Sequence, residues 1–524
     1  MNIPQYHSLH AYNAFDTLIQ KCQAWARPLV TTTLGYSAEA ITKRIIQRTV
    51  ELGSAQCVRY FLTHPSMLGE AAKTATHAFA NLSINGATGQ IKLNKRLQLH
   101  LIIEFLKHWS YVLYSVTLAI TPTEKSQKKS AALLFGVGID NVLQKGMPDS
   151  FLSYCQQGPI MPLREANHII VDASNKKSSS RFSHVLLSRF PAIALLKDNS
   201  LSFMAYLKFF IAHCQAFGAY FYSIVKFSPA ALLSSDFSYH ALIKNLNDYL
   251  LIQSVVITNS AYSNQALWMT DLPDRHFKAH MIWYSQNTRP VAYLTDGVTA
   301  DFPQYRHIRA DTHWVWDKSY ANYLNILQLN SEIIVVGPIL FYLPLDFNKK
   351  LKSDDEIIFK IFDVNPVKDE IRIKNALGDY YCTETMILFL REIVETKYAL
   401  EKEFNIKIKL ILKSKRAHHP SHDPTYIALL KQFHEQGDIE LVTHDENLYT
   451  LISNADMVIT IPYSSPVYIA SKFNIPSVFF DPTQQVLSNL EDAENIYFAA
   501  GKHQLQDRML KTINTKLNTS YQLT

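Results

Sequence analysis

The residues best suited to chemistry sit at the ends of short apolar runs, and the richest case is Ala455–Thr483, ADMVITIPYSSPVYIASKFNIPSVFFDPT. Met457–Ile461 reads as a buried strand, Tyr463, Ser464 and Ser465 as a hydroxyl-rich turn, Pro466–Phe473 as a helix and Ser477–Phe480 as a second buried strand. A strand that enters a helix through Ser-Ser aims backbone N–H groups and hydroxyls at one spot. Such a spot suits an anion, phosphate above all. Ser465 fits the N-cap, and Pro466 the first helical position, where its missing N–H costs nothing. The plainer alternative is an ordinary capped helix in an α/β sheet.

The same grammar recurs upstream. Asp363-Val364-Asn365-Pro366 follows Ile357–Phe362, and Lys413-Ser414-Lys415-Arg416 follows Ile406–Leu412, with His418, His419, His422 and Asp423 beyond it. Thr443 and His444 follow Ile439–Val442, and Asp481 and Thr483 follow Phe480. Cations beside hydroxyls at a helix start are what a nucleotide phosphate requires. Lys413 and Arg416 are the stronger candidates, with Lys415 read as solvated. There is no GxxxxGK[ST], and Gly136-Val137-Gly138 lacks the third glycine of a dinucleotide fingerprint. HExxH and GxSxG are missing too. No Asp-x-Asp follows a strand, so no carboxylate-held metal and no cofactor is expected. Phosphate binding would rest on cations and a helix N-terminus.

Three regions must position these groups. Residues 1–160 read as mostly helical, broken at Ser83–Gly89 and at the lysine-rich Thr121–Ser130. Residues 161–345 alternate strands (His168–Asp172, Ser254–Thr258, His280–Tyr284, His313–Trp316, Glu332–Val336) with helical stretches such as Ser202–Phe227 and Tyr239–Ile252. Residues 346–524 repeat this more cleanly, with helices at Thr383–Phe404, Pro424–Glu435 and Glu446–Asn454, the last with Asp445 as N-cap. Strands alternating with helices make parallel sheets covered on both faces. The expected fold is α/β, two tandem Rossmann-like domains preceded by a mostly helical region, with ligands beyond the carboxyl ends of the strands.

With 524 residues the chain exceeds one core, and a 48% hydrophobic share is that of a globular protein. The net charge of +6 is spread along the chain, which suits an anionic substrate or a membrane surface and not a nucleic acid. The five cysteines, Cys22, Cys57, Cys155, Cys214 and Cys382, are scattered, so a disulfide framework or zinc site is not expected and a reducing cytoplasm is. MNIPQYHSLH does not read as a signal peptide. Leu99–Ile120 and Phe203–Phe227 carry charges that argue against a membrane span. The second carries an aromatic face (Tyr206, Phe209, Phe210, Phe217, Tyr220, Phe221) that is read first as core, with peripheral contact with a membrane as the alternative.

At these residues the chain resembles bacterial surface-polysaccharide biosynthesis proteins named for a Pro-Phe-Thr-Ser motif. The motif reads Pro462-Tyr463-Ser464-Ser465 here, with both middle residues changed. TNSAYSNQALWM (Thr258–Met269), MIWYSQNTRP (Met281–Pro290), HWVWD (His313–Asp317), VVGPILF (Val335–Phe341), IFDVNP (Ile361–Pro366) and LKSKR (Leu412–Arg416) also match, over roughly half of the chain. The resemblance implies a two-Rossmann-domain (GT-B-like) glycosyltransferase at the cytoplasmic side of the inner membrane. In that class the C-terminal domain holds a nucleotide-sugar donor and the N-terminal one a glycan or lipid-linked glycan acceptor. Transferases of CMP-activated acidic sugars place a basic motif and a Ser-rich helix start where Lys413, Arg416, Ser464 and Ser465 lie. Asp363, Asn365 and Tyr463 are further donor-side candidates. The general base for an inverting transfer is expected from Asp172, then Asp271 and His280. Asn259, Gln286 and Asn287 are candidates for acceptor binding, and Trp268 and Trp283 for stacking on sugar. A sugar-nucleotide epimerase, with His418, His419, His422 and Asp423 around the sugar, and a non-catalytic glycan-assembly protein are the alternatives.

Overall fold

The computed structural model describes residues 35–49, 76–85, 91–120, 130–137, 150–172, 181–285, 305–339, 356–374, 379–488 and 495–523, less a few short breaks within these stretches, together with Val291 and Leu294. A small antiparallel sheet comes first, β1 (Thr76–Ala78), β2 (Leu82–Asn85) and β3 (Ile91–Leu93). The helix Lys95–Leu118 follows, with the Asn94 side chain capping its first turn by accepting the Arg96 N–H.

The first large sheet contains β4 (Ala131–Phe135), β5 (His168–Asp172), β6 (Arg181–Phe182), β7 (Val185–Ser188), β8 (Ile252–Thr258), β9 (Lys278–Ile282), β10 (Thr312–Val315) and β11 (Glu332–Val335). Its spatial order is β11-β10-β9-β8-β4-β5-β7-β6, parallel throughout except for the edge pair β6 and β7. The second sheet contains β12 (Ile357–Phe362), β13 (Ile408–Lys413), β14 (Glu440–Val442), β15 (Met457–Thr460), β16 (Ser477–Asp481) and β17 (Ile496–Ala500), in the order β14-β13-β12-β15-β16-β17, all parallel. Both sheets start at a central strand, run outward to one side and then return to the other. Each is a doubly wound Rossmann-like sheet, with a switch point between β4 and β8 in the first and between β12 and β15 in the second.

The strand AALLF of β4 lies within the region expected to be helical, and the expected boundary at residue 160 falls between β4 and β5 of one sheet. Every residue of β4 is buried, so its sequence carries no alternation that would separate a strand from a short buried helix. The helix expected to be capped by Asp445 starts at Leu448 instead. There the Asn447 side chain accepts the N–H groups of Tyr449 and Thr450.

Alternate residues along the strands feed different cores. Leu133 and Ile257 face a first core shared with the helices Lys95–Leu118, Phe203–Lys226 and Ser234–Leu250. Ile361 and Leu412 face a third core with the helices Thr383–Phe404, Pro424–Glu435 and Lys502–Leu523. The second core is common to both sheets, because Leu134 and Val256 belong to the same cluster as Phe362 and Ile411. Trp316, just after β10, meets Tyr468 edge-on with ring centroids 4.9 Å apart. Leu294 donates its N–H to the Gln485 carbonyl at 2.9 Å, and Val291 packs into the third core.

The N-terminal segment is tied down by buried polar contacts. Arg44 Nε donates to Asp236 at 3.2 Å, and Gln47 Nε2 donates to the Tyr262 carbonyl and to the Gln265 side chain. Burial pulls the Arg44 guanidinium down to about 10, against the opposing pull of Asp236.

Gly136 ends β4 at the first switch point with φ of +83°, and a Cβ there would lie 2.4 Å from Thr258 Oγ1. Thr258 Oγ1 in turn donates to the Gly136 carbonyl at 2.8 Å. Gly136→Ala should therefore lower unfolding free energy by about 2–4 kcal/mol in urea titrations, from backbone strain plus overpacking.

Burial holds His313 down to about 3, and His213 and His280 down to about 4, from an ordinary 6.5. All three stay neutral in the folded chain and take up protons near 6.5 when unfolded. Stability should be full above pH 6.5 and fall as pH drops toward 4, by about 1.4 kcal/mol per pH unit for each histidine. Thermal melts between pH 7 and 5 measure that fall, and a flat profile would contradict it.

Candidate functional site

The second switch point is built from the loops after β12, β13 and β15. Phe362 pairs with Thr460 across β12 and β15, and with Lys413 across β12 and β13. The loops leaving these strands therefore start side by side.

Asp363 is fully buried directly after β12. Its carboxylate accepts the Tyr426 hydroxyl at 2.6 Å, the Lys415 N–H at 3.1 Å and the Ser414 hydroxyl at 3.4 Å. Burial raises its pKa, while the bonds from Tyr426 and Lys415 oppose that rise. Asn365 adds a second clasp, its Oδ1 accepting the Arg416 N–H at 3.1 Å. The Lys413–Arg416 loop is thus fixed through its backbone, and its long side chains are left for other work.

Lys413 donates Nζ to the His444 carbonyl at 2.7 Å, tying β13 to β14, and burial lowers its pKa. Arg416 is exposed, and its guanidinium pairs with nothing among the described residues. Lys415, expected to be merely solvated, is open to solvent yet crowded by protein. That crowding, with Arg416 beside it and Asp363 opposing, pulls it down to about 8. Lys415 and Arg416 are both exposed cations on the loop after β13.

The Pro462–Ser465 turn is held from several sides. Tyr381 donates its hydroxyl to the Pro462 carbonyl at 2.9 Å. Tyr463 has φ of +65°, a left-handed conformation costly for a bulky residue, and its ring lies in the third core. Its hydroxyl donates to the Leu487 carbonyl at 2.7 Å, so Tyr463 is a structural pivot and not a surface for a ligand. Ser465 stands before Pro466 at the helix start but makes no capping bond, and the helix Pro466–Lys472 is only seven residues long. A helix that short has a weak dipole, so anion binding here falls to side chains and turn amides, contrary to the expected helix-terminus site. Ser464 is 8% exposed, and its hydroxyl bonds no other described residue.

Two buried polar groups at this switch point lack partners. Asn365 Nδ2 and Thr460 Oγ1 are both shielded from solvent and unbonded, on residues 8% and 0% exposed. Each can donate a hydrogen bond. Asn365 adjoins the loop of Lys415 and Arg416 through its bond to the Arg416 N–H, and Thr460 ends β15 opposite Phe362. Thr460 was not singled out from the sequence. Its only signal is a hydroxyl in the otherwise apolar strand run MVITI.

On the first sheet, Asp172 ends β5 and is half-buried. Asp271 ends a short helix, not a strand, and Arg309 and Thr270 bond its carboxylate. His280 lies in the middle of β9, where its Nδ1 accepts the Trp314 indole N–H at 3.4 Å. Asn259 Oδ1 accepts the Tyr284 N–H at 3.0 Å, joining the ends of β8 and β9. Trp268 and Trp283 are buried core residues, and Trp283 Nε1 donates to His313 Nδ1 at 3.0 Å, so neither is placed to stack on a sugar. Gln286 and Asn287 lie outside the described residues.

The histidine cluster serves its own turn. His422 Nδ1 accepts the His419 N–H at 3.2 Å, His419 Nδ1 bonds Ser421, and Asp423 caps the helix Pro424–Glu435. Among the described residues no group of three or more His, Cys, Asp and Glu could hold a metal ion.

Residues 206–509, more than half of the chain, match the polysaccharide biosynthesis PFTS motif protein family. The chain belongs to this family. The match starts inside the helix Phe203–Lys226 and takes in the whole second sheet, with the motif position at Pro462–Ser465. Where the PFTS motif has Phe, this member has Tyr463, whose added hydroxyl is absorbed by the Leu487 carbonyl.

No curated protein sequence matches the chain. Among solved structures, a TarM mutant of S. aureus in complex with fondaparinux, alpha-GlcNAc-glycerol and UDP is similar at 12% identity and a TM-score of 0.34, over 53% of this chain and 52% of that one. The chain therefore spans about half the length of TarM. UDP-GlcNAc 2-epimerase of Methanocaldococcus jannaschii is similar at 11% identity and 0.36, over 74% and 93%. The catalytic domain of starch synthase IV of Arabidopsis thaliana, bound to ADP and acarbose, is similar at 9% identity and 0.39, over 74% and 92%.

Asp363→Ala should cost about 2–4 kcal/mol, because the Tyr426 hydroxyl and Lys415 N–H lose a buried acceptor. Urea unfolding measures the loss. Asp363→Asn should recover part of it, by keeping one acceptor oxygen without the charge.

Proposed function

We propose that this PFTS-family protein is a glycosyltransferase that moves a sugar from a nucleotide-sugar donor onto a bacterial surface polysaccharide or lipopolysaccharide acceptor, with inversion. The observation that carries this reading is the pair of buried orphan donors, Asn365 Nδ2 and Thr460 Oγ1, beside the cations Lys415 and Arg416 at the second switch point. An open α/β sheet binds its ligand there, and a nucleotide phosphate is acceptor-rich and anionic. A CMP-activated acidic sugar is the first candidate donor, with UDP and GDP sugars as the alternatives. The acceptor, a free or lipid-linked glycan, is met on the first sheet's side of the cleft, at the cytoplasmic face of the inner membrane.

In the transfer, an acceptor oxygen bonds to the anomeric carbon as the bond from that carbon to the phosphate oxygen breaks. The electron pair leaves with the phosphate, and the acceptor proton goes to a carboxylate. Asp172 is our candidate for that base, since it alone of the three candidates ends a strand of the first sheet. Lys415, Arg416 and the Ser464 hydroxyl would meet the charge that grows on the leaving phosphate, and Lys413 would hold the loop between them. The epimerase reading is disfavoured by the histidine cluster, where His422 Nδ1 is taken by the His419 backbone N–H and His419 Nδ1 by Ser421.

Thermal shift with CMP, UDP and GDP tests the donor site. One nucleotide should raise the melting temperature of the wild type by mass action, and Arg416→Ala or Lys415→Ala should reduce that rise. No shift with any of the three would remove the basis of the assignment. Asp172→Asn should lower kcat about 100-fold or more with donor binding unchanged. Retention of full turnover would place the base elsewhere.

A further inference from the structure

The large apolar side chains that face solvent are concentrated on two neighbouring helices, Lys95–Leu118 and Phe203–Lys226. On the first, Leu99, Ile103 and Tyr114 are each more than half exposed, and on the second Phe203 and Val225 reach 69% and 82%. Of the aromatic face read from the sequence only Phe210 is exposed, and Tyr206 is half-buried. Phe209 and Tyr220 are buried, and Phe217 and Phe221 pack against Phe105 on the other helix. Helical spacing sets the outward stripe: positions 203, 207, 211, 214, 218, 222 and 225 all fall on one exposed side.

The two helices form one surface. Trp109 Nε1 donates to the His213 carbonyl at 3.2 Å, His213 Nε2 bonds the Trp109 carbonyl at 3.0 Å, and their rings stack 4.7 Å apart. Phe105 stacks on Tyr220 at 3.9 Å. Rising numbers on one helix meet falling numbers on the other, so the pair is antiparallel, and each helix carries an exposed apolar stripe.

Charge decides what such a surface fits. Lys95, Arg96, Lys107, Lys208 and Lys226 are all exposed, and the only carboxylate on either helix is Glu104. Lys208 and Lys226 stand about five turns apart on one flank of the stripe. No described helix is long and apolar enough to cross a membrane. Apolar side chains bordered by cations and nearly free of acids suit the interface of an anionic bilayer better than a mixed-charge protein surface.

We propose that this antiparallel two-helix face docks the protein on an anionic lipid bilayer, with the apolar stripe in the headgroup boundary and the lysines on lipid phosphates. The face shares its core with the first sheet, so that domain becomes the one nearest the lipid. The proposal concerns binding alone and stands apart from the donor chemistry.

Co-sedimentation with vesicles tests it. The full chain should pellet with phosphatidylglycerol–phosphatidylethanolamine vesicles, stay in solution with phosphatidylcholine vesicles, and be released at high salt. Lys208→Gln with Lys226→Gln should weaken partition about thirtyfold, and Ile211→Ser with Val225→Ser about tenfold or more. A second measurement needs no change to the face. Among the described cysteines Cys214 alone is exposed, and it lies on the stripe. With Cys22→Ser and Cys57→Ser, a polarity-sensitive dye on Cys214 should shift to the blue on the anionic vesicles. Two results would overturn the proposal: no pelleting and no dye shift with phosphatidylglycerol, or variants that change the oligomeric state while vesicle partition stays the same, which would make the face a protein interface.

Discussion

The buried carboxylate of Asp363 is the constraint on which the rest of the second domain's ligand face depends. One side chain joins its own strand end to a stretch more than fifty residues on in sequence, the loop after β13 and the helix Pro424–Glu435 that follows it. A carboxylate is costly to bury, and this one offsets the cost only by accepting several donors at once. The same bonds that stabilise it hold the Lys415 backbone in place. Asn365 does likewise for Arg416. Backbone clasps of this kind let cations project without being neutralised by the groups that position them.

Across the same switch point, the loop after β15 is fixed by different means. Tyr463 accepts a strained φ because its ring is gripped by core and its hydroxyl by Leu487. Asp481 locks the next loop, accepting the Tyr380 hydroxyl and the N–H groups of Thr483, Gln485 and Val486. Against this satisfied framework, the orphan donors on Asn365 and Thr460 stand out. They are not alone in the second domain, where Thr383 Oγ1 and Glu392 Oε2 are also buried and unbonded.

Much of this was legible in the sequence, and the failures have physical causes. The second domain's strands and helices were recovered because each apolar run ends in a polar cluster and each helix shows its period, as in Thr383–Phe404. Asp363, Asn365, Arg416 and Ser464 drew attention in the sequence because they follow strands, and all four lie in loops at the second switch point. Whether a polar residue faces a ligand or a neighbouring loop was not legible, since that depends on a partner distant in the chain. Tyr463 was sent inward by Leu487, and Lys413 was drawn aside by His444. β4 was missed because a strand buried on both faces loses its alternation. His280 and the Trp283–His313 pair look functional by residue type, yet they satisfy each other or Trp314 inside the first sheet.

The shared second core bears on how the two domains work together. Two sheets that met only across water could swing freely, whereas here Phe362 and Ile411 of one lie in the same apolar cluster as Leu134 and Val256 of the other. Trp316 against Tyr468, and Leu294 bonded to Gln485, add contacts that a wide hinge opening would have to break. Exposing that apolar area would cost free energy in proportion to the surface wetted. Motion between the domains is therefore expected as small sliding within a packed interface, of the shear kind, and not as a broad opening. Trp316 carries a buried indole N–H without a partner at this junction.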